Sequence, residues 1–390
     1  MIATIESTIR DLFHANRLRR VRKNARPKIL YFIVRYPTFS ETYMHEEIRS
    51  LRKDYDVKII TYNDCDDARR ESFPYEVVKY NDWCLVYGAI ENIDTTFSRQ
   101  PQRKFLRRVD AIIREFEPDI LHAHYFGLSL LLEKLSNRHK IPFTVRTHSM
   151  DVLSEPENKL RRISEAANSS WCKRIIAFPE CRQRLLDSGL SAEKVVSCWP
   201  VINFERFYKP EPKSPTRKIL CAGPTITKKA HSEFIDLAAR MKDKDLVFDL
   251  YGKGPHLEAT EKYNNEMGNP VTIKFADPDD MPEVYPNYDW LVYTADTKIN
   301  KVGLPVAIAE AQASGLGLCW QELPGRRQEQ LDFLGGGGYL YKTLNEVEEL
   351  LSSPYPEEMR QAGFAAAKRC DIEQHKHLLT DVWSGSLRYA

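Results

Sequence analysis

Several stretches of this chain combine residue types and spacings that could do chemistry. In Gly303-Leu304-Pro305-Val306-Ala307-Ile308-Ala309-Glu310, a glycine and a proline precede an apolar, helix-forming run. Proline has a fixed φ and no amide hydrogen to lose, so Pro305 suits the first turn of a helix. A helix start leaves backbone N–H groups unpaired and carries the positive end of the dipole, and the two together bind anions. Lys229, within Cys221-Ala222-Gly223-Pro224-Thr225-Ile226-Thr227-Lys228-Lys229-Ala230-His231, adds a full cation that could steady negative charge as it develops. Glu310 would stand about one and a half turns into the helix, where it could accept hydrogen bonds from two hydroxyls. In Leu250-Tyr251-Gly252-Lys253-Gly254-Pro255, Gly252 and Gly254 permit close approach of backbone to a ligand.

Taken singly, each feature has a plainer reading: Gly-Lys-Gly-Pro as a turn, Lys229 as a solvated charge, Glu310 as an exposed helix former, and Gly-Leu-Pro as a cap. Two histidine groups stand apart from these. His148 and Asp151, in Thr147-His148-Ser149-Met150-Asp151, follow an apolar run, and Asp151 either orients the imidazole or caps the next helix. His122 and His124 alternate in Ile120-Leu121-His122-Ala123-His124 and so share a strand face. No Cys, His or carboxylate set accompanies them, so no metal site is expected; His124 is the candidate substrate contact and His122 is read as structural.

The elements that must position these residues are legible as alternating strands and helices. Strands are expected at residues 29–34, 57–61, 119–124, 143–147, 174–178 and 195–198, and again at 218–222, 246–251, 271–275, 289–293 and 316–320. Short apolar runs between helical stretches indicate parallel, doubly wound sheets buried on both faces. Lys209-Pro210-Glu211-Pro212-Lys213-Ser214-Pro215 reads as an extended connector, because its prolines forbid a helix. The expected organisation is a basic amphipathic segment (1–28), a Rossmann-like domain (29–208), a linker (209–216), a second Rossmann-like domain (217–370) and a helix (371–390) returning across the junction. The carboxyl ends of both sets of strands should face a shared cleft.

At 390 residues, with 42% hydrophobic and 29% charged side chains, the chain has globular proportions and room for two or three domains. A net charge of +2 argues against a nucleic-acid binder that works by phosphate neutralisation. The charge is uneven: Arg10, Arg17, Arg19, Arg20, Arg22, Lys23, Arg26 and Lys28 face only Glu6 and Asp11. With Ile2, Ile5, Ile9, Leu12 and Phe13 at helical spacing, residues 1–28 are expected either to lie on an anionic membrane surface or to form a basic arm. Eight cysteines lack any C-x-x-C pair, and neither a secretory signal nor a spanning run is visible. These features point to a cytoplasmic location, peripheral on the inner membrane face.

The ordered set of motifs, with Glu205-Arg206-Phe207 added, resembles the GT-B glycosyltransferases of family 4 from about residue 28 to 370. Tyr36-Pro37-Thr38-Phe39-Ser40-Glu41-Thr42 is further similar to a subgroup that builds bacterial exopolysaccharides and lipid-linked glycans. The resemblance implies a retaining, metal-independent, hexosyltransferase-type enzyme that moves sugar from a nucleotide-diphosphate donor to a glycan or lipid-linked acceptor. It assigns His148 to the donor sugar near the reacting carbon, and Lys229 with Gly303 and Leu304 to the diphosphate. Glu310 takes the ribose; Gly223, Gly252 and Gly254 line the nucleotide; Glu41, His124 and Asp151 are weaker substrate candidates. Beyond the nucleotide sugar, which is a co-substrate, no cofactor is implied.

Four positions depart from the family pattern. Val302 stands where the first glutamate of a Glu-x7-Glu pair is usual, Pro224 replaces a donor-binding arginine, and Ala230 and Ser149 replace glycines. Asp296, Lys298 or Lys301 could substitute for the missing charges, or the donor sugar could lack the hydroxyl the glutamate would hold. The remaining alternative is a catalytically impaired relative acting as a nucleotide-binding or regulatory partner. Retention of His148, Lys229 and Glu310 together favours the enzyme.

Overall fold

The structure, a computed structural model, describes residues 26–38, 41–64, 75–77, 99–211, 214–299 and 303–388. Most of the basic N-terminal segment, Phe39 and Ser40 of the opening loop, and Lys301 and Val302 lie outside these residues. The chain divides into two units. The first holds residues through Thr38, then Ile48–Cys198 and the chain from Lys376; the second holds Phe39–Glu47 and Trp199–His375.

The first unit is built on β1 (Lys28–Tyr36), β2 (Asp56–Asp64), β3 (Tyr75–Val77), β4 (Ile120–His124), β5 (Phe143–Arg146), β6 (Cys172–Ala177) and β7 (Val195–Ser197). Their order is β3-β2-β1-β4-β5-β6-β7, with every pair parallel. β4 and β5 are buried at every residue, as strands covered by helices on both faces must be. β1 and β4 lie side by side, Tyr31 opposite His122, although a long stretch of chain separates them. The order reverses between these strands, and loops at such a switch point are where open α/β sheets place ligands.

The second unit repeats the plan with β8 (Lys218–Ala222), β9 (Val247–Tyr251), β10 (Thr272–Lys274), β11 (Trp290–Tyr293), β12 (Gly317–Gln321) and β13 (Tyr339–Tyr341). Their order is β10-β9-β8-β11-β12-β13, again all parallel. Successive residues of one strand feed opposite cores. Leu220 packs with Leu291, Ile308 and Trp320, while Ile219 and Cys221 pack with Phe234, Leu237 and Val292. Here the switch point lies between β8 and β11.

Both doubly wound sheets and the expected strands are present. β3 and β13 were not expected: three residues are too few to show a pattern, and β13 follows a run of four glycines. The boundary between units falls at Cys198/Trp199, earlier than the expected linker at 209–216. The reason is packing. Phe204 and Phe207 enter the core with Leu220, Tyr285 and Leu304, and Arg360 donates to the carbonyls of Lys209 (2.9 Å) and Glu211 (2.8 Å). The last helix, Ile372–Arg388, joins the first unit from Lys376 onward. Its fully buried Trp383 donates to Thr144 Oγ1 at 3.0 Å, with its ring against Tyr55 and His122.

Candidate functional site

In the second unit, β8 runs into Gly223 at φ +147°, and a Cβ there would lie 3.4 Å from Lys229 Cε. The lysine therefore folds back across that glycine. It is carried by the single turn Thr227–Lys229, which ends on Ala230 in the left-handed region (φ 45°, ψ 45°). Lys229 Nζ donates to the Tyr293 hydroxyl at the end of β11, and its own carbonyl accepts from Thr294 Oγ1 at 2.6 Å. Among the described residues no carboxylate pairs with Lys229. Burial, followed by repulsion from Lys228, pushes its ammonium down to about 7. Burial, and then the Lys229 charge, drives His231 down to about 4, so His231 is neutral at pH 7 and adds no second positive charge.

Gly252 and Gly254 meet backbone. A Cβ on Gly252 would stand 2.5 Å from the Gly223 carbonyl oxygen, and one on Gly254 would stand 2.8 Å from that of Thr225. The close approach that requires glycine is thus between two loops, with Thr225 N–H donating to the Lys253 carbonyl (3.1 Å) and His256 N–H to that of Thr225 (3.0 Å). This braces the Gly223–Thr225 turn from below.

The helix Val306–Ala313 begins one residue later than expected: Pro305 is its N-cap, with φ −84° and ψ 128°, rather than part of its first turn. No described side chain caps this end, so first-turn N–H groups keep their capacity to bind an anion. Leu304 is buried with Ile308 and Phe207 and anchors the turn through its side chain. Glu310, half-buried on the same helix, accepts from the Tyr285 hydroxyl at 2.9 Å. Burial and then the Glu310 charge hold that hydroxyl well above its usual range, so it remains a donor. Tyr285 escaped sequence reasoning because no local motif links it to a glutamate 25 positions away. Lys228 was also passed over; burial lowers its ammonium, and its carbonyl accepts from Asp296 N–H at 3.1 Å. Asp296 in turn accepts from Lys298 N–H at 2.9 Å, a tight turn directly after β11.

In the first unit, β4 delivers His124 and the loop after β5 delivers His148. His124 Nδ1 and His148 Nε2 are 3.0 Å apart, and the rings stack with centroids at 5.0 Å and planes within 9°. The Tyr125 ring lies 4.7 Å from that of His148. Buried Asp151 accepts from the backbone N–H of His148 (2.7 Å) and of Phe126 (2.5 Å), pinning the two loops to each other. It thus acts on main chain, and Ser149 occupies the N-cap of the short helix Met150–Leu153. His122 is buried, with its Nδ1 2.7 Å from Thr144 Oγ1. Glu41, placed in the second unit, accepts from the Tyr43 hydroxyl at 3.2 Å.

Residues 40–206 match the family described as Glycosyltransferase Family 4. HepE of Anabaena, solved in complex with UDP, has the same fold at a TM-score of 0.70 and 14% identity, over 92% of this chain and 100% of that one. Sucrose-phosphate synthase of Thermosynechococcus elongatus superposes at 0.71 with 13% identity, over 94% and 100%. This is a GT-B fold, and its residues 40–206 are similar to family 4 glycosyltransferases. At these identities the structural likeness is one of fold. In sequence, the chain is 25% identical over 216 residues to the GtfA subunit of the UDP-N-acetylglucosamine–peptide N-acetylglucosaminyltransferase of Streptococcus gordonii. That match covers 53% of this chain and 41% of the relative. No helix among the described residues is long and apolar enough to cross a membrane.

Proposed function

We propose that the protein transfers a sugar from a nucleotide-diphosphate donor to a glycan or lipid-linked acceptor, with retention at the anomeric carbon. One observation carries this reading: a half-buried lysine with no described carboxylate partner, held down to about 7, stands in the switch-point loop of the second sheet. An uncompensated, partly desolvated ammonium is costly unless a ligand supplies the anion. Lys229 and the uncapped start of Val306–Ala313 would neutralise the diphosphate as the glycosidic bond breaks, and Glu310, braced by Tyr285, would hold the ribose. His148, paired with His124, is assigned to the donor sugar and the incoming hydroxyl. The anomeric C–O bond to the diphosphate breaks, the bond to the acceptor oxygen forms on the same face, and the departing phosphate takes the acceptor proton. HepE structures with UDP and UDP-glucose, and the UDP-N-acetylglucosamine enzyme among the relatives, support a uridine donor.

The test is a panel of UDP-, GDP-, TDP- and ADP-sugars incubated with the full chain, with nucleotide release counted and product anomers read by NMR. Turnover of a UDP-sugar with retention, lost about 10²-fold or more in Lys229→Ala, is the expected result. The absence of both turnover and a nucleotide-induced thermal shift would refute it. The basic segment 1–28 is proposed to hold the enzyme on an anionic membrane face. A chain beginning at Pro27 should lose binding to anionic vesicles, and equal binding of both forms would overturn this.

A further inference from the structure

Ser149 sits where the family pattern has glycine, and its backbone shows why glycine is usual there. Its φ of 61° and ψ of −60° lie in a region that side chains rarely adopt. Met150 N–H donates to the His148 carbonyl at 2.6 Å, which closes a γ-turn centred on Ser149. γ-turns of this hand are rare and strained, and such strain persists only where surrounding structure over-determines it. The surroundings here are specific. Ser149 is 1% exposed, and its hydroxyl donates to Glu180 Oε1 at 2.6 Å. Glu180 belongs to the helix Pro179–Asp187, whose Arg184 also holds the carbonyls of Val152 (2.9 Å) and Glu155 (2.6 Å). One helix therefore grips the chain leaving His148 at three points. The first of these lies on the residue next to the histidine.

We propose that Ser149 and Glu180 are positioning residues for His148: their hydrogen bond holds the γ-turn that sets the His148 ring against His124 and Tyr125. A glycine would adopt this turn without strain but could not be fastened. The serine accepts the strain and gains a buried anchor, which fixes the ring more narrowly. The role assigned to the ring rests on the glycosyltransferase reading above, whereas its placement does not.

The experiment uses the full-length protein with Ser149→Ala, Ser149→Gly, Glu180→Ala, Glu180→Gln and the double variant Ser149→Ala/Glu180→Ala. Side-chain ¹⁵N spectra of the histidines report the His124–His148 hydrogen bond directly, whether or not the protein turns over. The His148 signals are expected to move in Ser149→Ala and Glu180→Ala. They should stay in place in Glu180→Gln, whose amide oxygen can still accept from the serine. In the transfer assay, Ser149→Ala and Glu180→Ala should lower kcat about 10- to 100-fold with donor KM nearly unchanged, the cost of a reacting group misplaced by a fraction of an ångström. The double variant should be no worse than the worse single, and Glu180→Gln should restore most of the rate. Ser149→Gly separates the anchor from the strain, because it relaxes the backbone yet lacks the hydroxyl, and it should move the His148 signals and lower kcat as Ser149→Ala does. Unmoved His148 signals in Ser149→Ala overturn the proposal whatever the activity, and so do additive losses in the double variant. A wild type without turnover would remove the catalytic reading and leave the spectroscopic test of placement standing.

Discussion

Lys229 makes the binding of a nucleotide diphosphate depend on pH in a window that can be worked out in advance. Burial and Lys228 put its ammonium at about 7 in the free protein, far below an ordinary lysine. A bound diphosphate places negative charge beside it and raises that value, so the tight complex is formed by the protonated lysine. The apparent Kd should then weaken above pH 7, by about 5-fold from pH 7 to 8 and about 10-fold from 8 to 9. The ligand's terminal phosphate, with its second pKa near 6, is already ionised over this range and adds no slope of its own. Calorimetry in two buffers of different ionisation enthalpy should record uptake of about 0.9 proton per UDP at pH 8. The sign for stability is opposite: the unfolded chain holds the proton to about pH 10 and the folded chain releases it near 7, so the free protein should gain stability as pH rises between them. Lys228→Met removes a like charge and should shift the onset of weakening upward. A Kd that stays level from pH 7 to 9, or the same slope in Lys229→Met, would refute the reasoning.

Further outcomes follow from single contacts. Tyr285→Phe leaves Glu310 without its 2.9 Å donor, and losing a hydrogen bond to a charged acceptor should cost about 1.5–3 kcal/mol, weakening UDP by about 10-fold or more in calorimetric titration while 2′-deoxy-UDP is hurt less. Ala230→Gly places glycine at φ 45° and should stabilise the second unit by about 0.5–1 kcal/mol, seen as a higher melting temperature. Trp383→Ala empties a fully buried site and strips Thr144 Oγ1 of a donor, so urea unfolding of the first unit should shift by about 3–5 kcal/mol. Asp151→Asn offers one acceptor where the N–H groups of His148 and Phe126 need two, and should cost about 1–3 kcal/mol together with most of the transfer rate.

The sequence by itself determined the fold class, because strands covered on both faces must be continuous apolar runs and helices between them must be amphipathic. Through the resemblance to family 4 glycosyltransferases it also singled out Gly223, Lys229, Gly303, Glu310 and His148 as candidate site residues. Contacts between residues distant in sequence could not be read this way. Tyr285 beneath Glu310, His124 against His148, Trp383 over Thr144 and Glu180 behind Ser149 join residues from separate elements, and no local period encodes such a meeting. The glycines show the same division. Their spacing announced a tight loop, but only the tertiary structure decided that Gly252 and Gly254 yield to the carbonyls of Gly223 and Thr225. Likewise Ser149 read as a lost glycine until the packed helix Pro179–Asp187 supplied the carboxylate that holds its turn. Local chemistry sets which conformations a residue can adopt, and packing of distant elements selects among them by satisfying or orphaning each buried polar group.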